Sequence, residues 1–275
     1  MITSTQNKRV TKSARLKKRA IRDKDKAFLV EGAQAVLEAL GQPGIVRQLF
    51  YTAGSEDRQS DVVRAAEKAA IAVHPVSPEV MAHLTSTVTP QGLVAVARFV
   101  DEPLWRAAES LVCVPLLVEV RDPGNAGTIL RSADASGAGA VVFTRSSVDV
   151  YNPKTVRATA GSLFHLPVIR EVEADDAVSA LRENGFRVLA AAADGRDSVY
   201  DADLTGQVAI MFGNEARGLP PEIRSLADGT IRVPIEGAAE SLNLAAAATV
   251  VLFEASRQRW RASGGEAGSN SRSGP

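Results

Sequence analysis

Cysteine, histidine and tryptophan are scarce in this 275-residue sequence, which contains one cysteine, three histidines and two tryptophans. The lone Cys113 cannot form an internal disulfide, and its position in the apolar run LVCVPLLVEV predicts a buried strand residue. These few cysteine and histidine residues provide no zinc-like ligand set, so we expect no metal. No apolar run reaches the roughly 18 uncharged residues of a membrane helix. The basic N-terminus is not followed by the apolar segment of a signal peptide, so we expect a cytoplasmic protein.

Positive charge is concentrated at the N-terminus, although the whole sequence has a net charge of zero. The first 26 residues contain ten lysines and arginines against Asp23 and Asp25, a net charge of +8, so the remainder carries −8. Such a basic arm on an acidic body predicts a polyanionic partner. A solvated helix or a frayed tail is the alternative interpretation of the same charge pattern.

Hydrophobic periodicity divides the chain into two α/β units. Residues 1–100 alternate helical and strand patterns behind the basic arm. The segment DEPLWRAAES, residues 101–110, has the composition of a linker. Residues 111–262 alternate apolar strands with helices, which predicts a mostly parallel sheet covered on both faces. The Gly- and Ser-rich residues 263–275 predict a disordered tail.

Capping residues indicate where several helices begin. Ser60, Ser77 and Asn152 each precede a helical pattern and are candidate N-caps. Pro78 and Pro153 follow two of them, and proline is favoured at the first helical position.

Polar residues follow three strand patterns of the second unit, and ligands of open α/β sheets bind at the carboxyl ends of strands. The first segment, EVRDPGNAGTILRSADASGAGAVVF, has a turn with Gly124, Asn125 and Gly127 before a helix near residues 126–137. Its spacing matches neither a dinucleotide-binding fingerprint nor a P-loop, so an ordinary strand–helix turn is the alternative to a ligand site. Arg131 is a charge among small and apolar helix residues, which indicates either snorkelling or a side chain directed at a site.

The second segment, VAIMFGNEARGLP, runs from an apolar strand into Gly213, Asn214 and Glu215. A carboxylate and a carboxamide beside glycines place polar groups next to accessible backbone, which favours a ligand site. The alternative is a capped turn before the helix pattern PPEIRSLA, and the spacing alone leaves both interpretations open.

The third segment, IRVPIEGAAESLNLAAAATVVLFEASRQRW, predicts a helix from about Ser241 to Trp260. Ser241 and Asn243 lie at its start, where both residue types are common caps, so capping is the alternative to a ligand role. The alanines at 245–248 are small, which indicates close packing of the helix start against another segment or a ligand.

Together and in this order, the three segments resemble the motifs of the SpoU/TrmH family of SPOUT methyltransferases. Those motifs are N-x-G-x-x-x-R, F-G-N-E-x-x-G-L and I-P-x-x-G-x-x-x-S-L-N-x-x-x-A, and here Val233 replaces the isoleucine before proline in the third. The basic arm with the following FLVEGAQAVLEAL resembles the family's substrate-binding domain, an L30e-like RNA binder. The resemblance covers roughly residues 7–260.

The resemblance implies an α/β SPOUT domain with a deep trefoil knot, an exception to the usual rules of chain threading. It implies S-adenosylmethionine as cofactor, held by Gly213, Val233 and Leu242. It also implies a homodimer. The polar active-site positions that it implies are Asn125, Arg131, Glu215, Ser241 and Asn243. The basic residues expected to bind RNA phosphates are Lys8, Arg9, Lys12, Arg15, Lys17, Lys18 and Arg19.

The implied reaction is attack of an RNA ribose 2′-hydroxyl on the methyl group of the cofactor. A guanidinium has a pKa above about 12 and rarely gives up its proton. We therefore expect Arg131 to orient the hydroxyl and stabilise the developing alkoxide, while a phosphate oxygen or water takes the proton.

Three alternatives remain open at the level of sequence. A transfer RNA could be the substrate, although the separate L30e-like domain favours 23S ribosomal RNA. A non-catalytic RNA-binding protein could retain the fold, but the polar residues of all three motifs are present. A nucleotide-dependent oxidoreductase would need a Gly-rich fingerprint that the sequence lacks.

Overall fold

The structure, a computed structural model, describes residues 1–54 and 56–264, without the side chains of residues 56–58. Residues 265–275, most of the predicted disordered tail, lie outside the described residues. The described chain forms two α/β units, each built around one sheet. None of its described helices is both long and apolar enough to span a membrane.

The N-terminal unit is built on a four-stranded sheet. Its strands are β1 (Ala27–Glu31), β2 (Val46–Thr52), β3 (Ala72–Val76) and β4 (Leu93–Arg98). Its helices are α1 (Lys8–Ala14), α2 (Arg19–Asp25), α3 (Ala33–Gly41), α4 (Glu56–Lys68) and α5 (Pro78–Leu84), with a 3-10 turn at Arg15–Lys17. The strand order is β1-β4-β2-β3. β4 pairs antiparallel with β1 and β2, whereas β3 pairs parallel with β2.

The C-terminal unit is built on a seven-stranded sheet. Its strands are β5 (Val114–Leu117), β6 (Val141–Thr144), β7 (Val168–Val172), β8 (Arg187–Ala191), β9 (Asp197–Ser198), β10 (Val208–Phe212) and β11 (Gly229–Arg232). Its helices are α6 (Leu104–Ala108), α7 (Pro123–Ala135), α8 (Pro153–Thr159), α9 (Ala174–Glu183), α10 (Pro221–Arg224) and α11 (Leu244–Ala262), with a 3-10 turn at Ser162–Phe164. The order is β7-β6-β5-β10-β8-β11-β9, and the neighbouring strands pair in parallel, which confirms the predicted sheet type.

Both faces of this parallel sheet are covered, as the apolar strand patterns predict. Successive side chains of a strand point to opposite faces. Ile210 and Phe212 therefore pack in one core cluster, which also contains Leu252 of α11. Met211 packs in a second cluster with Val178 of α9. The central strands β5 and β10 are apolar and buried along their whole length because neither face meets solvent.

The helix caps agree with the sequence at two of three positions. Ser77 accepts a hydrogen bond from the N–H of Val80, and Asn152 accepts one from the N–H of Lys154. Ser60 lies inside α4, so its prediction as an N-cap is wrong. Good helix formers precede it in the sequence, and they extend the helix upstream.

The predicted linker, residues 101–110, contains the short helix α6. Ala107 and Ala108 are buried, and Ala107 belongs to the cluster that covers the second face of the parallel sheet. The alternation of charged and apolar residues in this segment thus produces a helix with one side packed against the parallel sheet. The two units are joined by packed structure at this point.

The basic arm is folded, which excludes a frayed tail. Val10 and Leu16 are buried in a cluster with residues of β1 and β4. Arg22 is 2% exposed, and its Nε and Nη2 atoms donate to Oδ2 of Asp149 at 3.1 and 2.5 Å. Its Nη1 atom donates to the carbonyls of Leu16 and Lys17. Because Asp149 follows β6, this buried ion pair attaches the arm to the C-terminal unit.

An aromatic cluster extends the contact between the two units. Tyr151 stacks on Phe99 with ring centroids 3.9 Å apart, and it packs against Phe28 at 4.6 Å. Its hydroxyl donates to Asp101 at 2.7 Å and accepts from the N–H of Val100 at 2.7 Å. Burial and the neighbouring Asp101 carboxylate raise the pKa of Tyr151, so the hydroxyl stays protonated.

Replacing Arg22 by alanine should leave the buried carboxylate of Asp149 without its partner. We expect the free energy of unfolding in urea to fall by about 3–5 kcal/mol, because an unpaired buried charge is strongly unfavourable. Arg19→Ala is the matched control, since Arg19 pairs with Glu171 at the exposed surface. That variant should lose less than about 1 kcal/mol. Equal losses in the two variants would contradict a dominant buried ion pair.

Candidate active site

The three polar turns singled out in the sequence meet at the carboxyl edge of the parallel sheet. Asn125 follows β5, Glu215 follows β10, and Asn243 precedes α11. Nδ2 of Asn125 donates to Oε1 of Glu215 at 3.2 Å. Nδ2 of Asn243 donates to Oδ1 of Asn125 at 3.0 Å. One chain of hydrogen bonds therefore connects all three turns.

The first turn is organised by Asp122, which the sequence analysis missed. Its carboxylate accepts from the N–H of Asn125 at 2.8 Å and from Nζ of Lys154 at 3.2 Å. The hydrogen bond from the Asn125 N–H, helped by Lys154, holds the pKa of Asp122 below its ordinary value. As an N-cap, Asp122 starts α7 at Pro123, three residues before the predicted start. The Asp-Pro pair is a helix-start signal that would have located it.

Glu215 is the common acceptor of the site. Its carboxylate accepts from the backbone N–H of Asp122 at 2.9 Å and of Arg121 at 3.2 Å, besides the amides of Asn125 and Asn214. Partial burial by itself would raise the pKa of Glu215, but these hydrogen bonds outweigh it and lower the pKa below its ordinary value. Glu215 is therefore ionised at neutral pH.

A tight loop presents Glu215. Asn214 and Gly218 exchange two backbone hydrogen bonds of 2.9 Å, and Oδ1 of Asn214 accepts from the N–H of Ala216. A Cβ atom at Gly213 would lie 2.3 Å from the carbonyl carbon of Gly218. The loop can close in this form only with glycine at 213.

The start of α11 distinguishes the two candidate caps. Asn243 is the N-cap, because its Oδ1 accepts from the N–H of Ala245 and Ala246 at 2.9 and 3.2 Å. Capping and site contacts coexist in Asn243, since its Nδ2 remains free to bond Asn125. Ser241 lies before the helix and does not cap it.

A cleft of about 500 Å³ lies beside the hydrogen-bonded turns. The predicted residues that line it are Gly213, Glu215, Val233, Ser241 and Leu242. Asn125 and Asn243 border it through their bonds to Glu215 and to each other. Sequence reasoning missed the segment 191–194, which lines the cleft where β8 ends. Its position at the carboxyl end of a strand was the available signal.

Arg131 lies apart from these residues. It is exposed on α7, is not among the cleft residues, and bonds to no side chain or carbonyl within the described ranges. Six positions separate it from Asn125, which corresponds to about 9 Å along the helix and about 120° around it. Within one chain, the two side chains occupy different faces of α7.

The seven predicted RNA-binding residues fall into two groups. Nζ of Lys17 donates to the carbonyl of His83 at 2.7 Å, and Arg19 pairs with Glu171 at 2.6 Å. The others are exposed and form no ion pair with any residue that the structure describes; they are Lys8, Arg9, Lys12, Arg15 and Lys18.

Glu215→Gln should weaken the hydrogen bonds that connect the turns. The glutamine NH2 group is a donor, so it cannot accept from the backbone N–H groups that bond the carboxylate in the wild type. We expect a loss of about 1 kcal/mol in unfolding free energy at pH 7, a hydrogen-bond value reduced for solvent exposure. A carboxylate whose pKa is lower in the folded state than in the unfolded state stabilises the fold fully above its unfolded-state pKa of about 4.3. This stabilisation is lost as the pH falls through the folded-state pKa. The difference from wild type should therefore shrink between pH 7 and acidic pH.

Glu222→Gln is the control for this comparison, since Glu222 is an exposed carboxylate on α10. Urea denaturation at both pH values should leave it equal to wild type. A Glu215→Gln difference that stays constant with pH would show that ionised Glu215 does not stabilise the junction.

Comparison with known proteins identifies the family to which this chain belongs. The SpoU rRNA Methylase family matches residues 113–253, and the MRM3-like substrate binding domain matches residues 7–95. The 23S rRNA (guanosine(2553)-2′-O)-methyltransferase RlmP of Bacillus subtilis is 34% identical over 253 residues, which cover 92% of this chain and 97% of the relative.

Two solved structures with bound AdoMet share the fold. The AdoMet-bound rRNA methyltransferase from Sinorhizobium meliloti is 33% identical with a TM-score of 0.81, covering 93% of this chain and 97% of that one. The SpoU methyltransferase AviRb from Streptomyces viridochromogenes, in complex with AdoMet, is 33% identical with a TM-score of 0.82, covering 92% and 98%. The chain belongs to the SpoU rRNA methylase family.

Proposed function

We propose that the protein transfers a methyl group from S-adenosylmethionine to a ribose 2′-hydroxyl of RNA, with 23S ribosomal RNA as the substrate. The observation that carries the proposal is the hydrogen-bond chain Glu215–Asn125–Asn243 at the mouth of the cleft. The names of the relatives support it, since RlmP is a 23S rRNA 2′-O-methyltransferase and two structural neighbours bind AdoMet. The site combines polar groups for a ribose with a neighbouring space for a donor.

The cleft fits the cofactor in size and in chemistry. Its volume lies within the usual range of about 300–1,000 Å³ for small-ligand sites. Leu242 and Ile235 line it while 42% and 37% exposed, so apolar surface is available there for an adenine ring. When bound, S-adenosylmethionine supplies an electrophilic methyl group on a positively charged sulfur. The ionised Glu215 at the cleft favours a cation electrostatically.

The residues assigned to the cofactor are Gly213, Val233 and Leu242. At Gly213 the loop backbone comes so close that a side chain would not fit. Backbone N–H and C=O groups exposed there are fixed donors and acceptors for the edge of a base. Val233 and Leu242 add apolar side chains to the lining of the cleft.

Asn125, Asn243 and Ser241 are proposed to position the ribose. Each of the two amides has used one N–H within the chain and keeps a second one. The Ser241 hydroxyl is exposed at the cleft. Because Glu215 and the α11 N-terminus already hold the amides, little reorganisation is needed when a ribose binds.

Arg131 is proposed to orient the 2′-hydroxyl and its neighbouring phosphate, while a phosphate oxygen or water takes the proton. Its free guanidinium supports this role, and its distance from the cleft supports a homodimer in which a second copy brings Arg131 to the site. The exposed Phe253 and Trp260 on α11, 47% and 53% accessible, supply an apolar face for that second copy. Ser132, the residue after Arg131, contacts Thr249 of α11 at 2.7 Å, so the helix that carries Arg131 packs against α11.

A trefoil knot is also part of the proposal. A Cβ atom at Gly195 would lie 2.4 Å from the carbonyl carbon of Ile231, 36 positions away in the sequence. This close approach of two backbone segments, with no space for a side chain, supports a tightly threaded chain beside the cleft. A cytoplasmic location is also part of the proposal, and the proposed ribosomal RNA substrate supports it.

Incubation of the protein with labelled S-adenosylmethionine and either 23S ribosomal RNA or transfer RNA tests the function. We expect label on one ribose of the 23S RNA, located by mapping the 2′-O-methyl group. Arg131→Lys should reduce transfer roughly 100-fold, because lysine lacks the planar fork that orients two oxygens. Arg182→Lys on α9 is the control. Label found only in transfer RNA would contradict 23S ribosomal RNA as the substrate. A calorimetric titration without cofactor binding would favour a non-catalytic RNA-binding protein.

The homodimer is tested by placing a charge on the exposed face of α11. We expect Phe253→Glu to convert a dimer into a monomer in size-exclusion chromatography with light scattering, because burying an unpaired carboxylate is unfavourable. Trp105→Glu is the matched control, since Trp105 is exposed on α6. A dimeric Phe253→Glu variant, or a monomeric wild type, would contradict this interface.

A further inference from the structure

His165 lies between the two units and contacts one acidic residue of each. It follows the 3-10 turn Ser162–Phe164 of the C-terminal unit. Its Nδ1 atom lies 2.7 Å from Oδ2 of Asp134 near the end of α7, and its Nε2 atom lies 3.1 Å from Oε2 of Glu38 on α3. Both nitrogens of the ring therefore face a carboxylate, although the ring does not line the cleft of the candidate site.

The two carboxylates are held in place independently of the histidine. Gln34 donates to the second oxygen of Glu38, and a Cβ atom at Gly161 would lie 2.6 Å from Cγ of Glu38. Asp134 lies in the last turn of α7, and the carbonyls just after this helix accept from Arg259 of α11. The packing of α3 and α7 thus sets the positions of the two acids around the ring.

Two carboxylate neighbours favour the protonated form of His165. A carboxylate only accepts hydrogen bonds, and only a protonated imidazole donates from both of its nitrogens. Partial burial by itself would lower the pKa of His165, but the hydrogen bonds to Asp134 and Glu38 outweigh it and raise the pKa above its ordinary value. Two carboxylates and a protonated ring have a net charge of −1, whereas the same carboxylates with a neutral ring have −2.

Arg131 is the cation that this negative charge can attract. Arg131 and Asp134 are three positions apart on α7, and side chains with this spacing are neighbours on a helix surface. Their opposite charges could pair, yet Asp134 bonds to His165, and Arg131 forms no ion pair with any residue that the structure describes. The histidine and the arginine are thus alternative partners of one carboxylate.

The cations of the other helices at this turn are already paired. The helices packed against the turn are α3, α7 and α8, and the charged residue of α3 is Glu38. The cations of α8 are Lys154 and Arg157, and each of them forms an ion pair, with Asp122 and with Glu31 respectively. The cation of α7 is therefore the one that remains available to Asp134 within the described part of these helices.

We propose that His165 is a positioning residue for Arg131, because its protonated ring holds and neutralises Asp134 and so leaves the Arg131 guanidinium free for the substrate. The inference rests on the proposed function for the role of Arg131. When the ring loses its proton, Asp134 carries an uncompensated charge and pairs with Arg131 instead. Methyl transfer then depends on pH through a histidine that lies outside the cleft.

NMR titration of protein with labelled histidine rings measures the charge of His165. The sequence has three histidines, and the signal of His165 is the one that is absent from His165→Gln. We expect a pKa above the ordinary value of about 6.5 in the wild type. The pKa should be lower in Asp134→Asn and in Glu38→Gln, because each variant removes one carboxylate. A wild-type pKa at or below the ordinary value would overturn the proposal.

Methyl transfer to 23S ribosomal RNA is compared at about pH 6, below the ordinary pKa of histidine. His165→Gln keeps a hydrogen-bonding side chain but has no charge. We expect its kcat to be about twofold to fivefold lower, the range that corresponds to an exposed ion pair. Combining His165→Gln with Asp134→Asn should restore kcat, since the acid that competes for Arg131 is gone. A merely structural role would leave the double variant no better than the single one.

Glu38→Gln is the matched control, because it removes the other carboxylate and keeps the contact between His165 and Asp134. Its kcat at about pH 6 should be close to that of wild type. As the pH rises through the pKa measured for His165, kcat of the wild type should fall relative to that of the double variant. A pH-independent ratio, a failed rescue, or equal losses in Glu38→Gln and His165→Gln would each overturn the proposal.

The availability of Arg131 can also be followed without activity. The Nε–H signal of Arg131 is the one that is absent from Arg131→Lys. Hydrogen exchange of this group should be slower in His165→Gln than in the wild type or the double variant, because a carboxylate partner protects it. Equal exchange in all three proteins would overturn the proposal. A wild type that transfers no methyl group would contradict the proposed function, while this comparison would still decide the role of His165.

Discussion

The ionised carboxylate of Glu215 holds the candidate site together. It accepts N–H groups from the turn after β5 and lies in the loop after β10, and through Asn125 it connects to the N-cap of α11. Without this acceptor, the backbone N–H groups of Arg121 and Asp122 would meet no carboxylate at the mouth of the cleft. A charged acceptor suits this junction, because hydrogen bonds to ionised groups are the stronger ones.

The parallel sheet explains why so much of the chemistry lies on one side of the molecule. Parallel strands end at the same edge, so turns distant in sequence become neighbours in space. The same edge also receives the N-terminal unit, since Asp149 and Glu171 offer carboxylates there to the arm. A buried ion pair and an exposed one thus hold the basic arm at the same edge of the sheet as the cleft beside Glu215.

Arg22 and Arg131 show how far residue type alone can mislead. Both are arginines in helices, yet one is buried against Asp149 and the other is exposed without a partner among the described residues. Their charges look equivalent in the sequence. Packing assigns Arg22 to stability and leaves Arg131 available for a ligand, RNA or a second copy.

Local patterns in the sequence determined the parallel sheet, the caps at Ser77, Asn152 and Asn243, and which residues belong to the three motifs. These depend on side-chain periodicity and on hydrogen bonds between near neighbours, which a sequence displays directly. Two local predictions failed, the start of α7 and the cap at Ser60, because the Asp-Pro signal was overlooked and helix formers outweighed a cap.

Only the tertiary structure decided which polar residues touch. Asn125 is 90 positions from Glu215 and 118 from Asn243, so no local pattern reports their hydrogen bonds. The same holds for Arg22 and Asp149, 127 positions apart. Contacts between distant segments follow from how helices pack on the sheet, and that packing is a property of the whole chain.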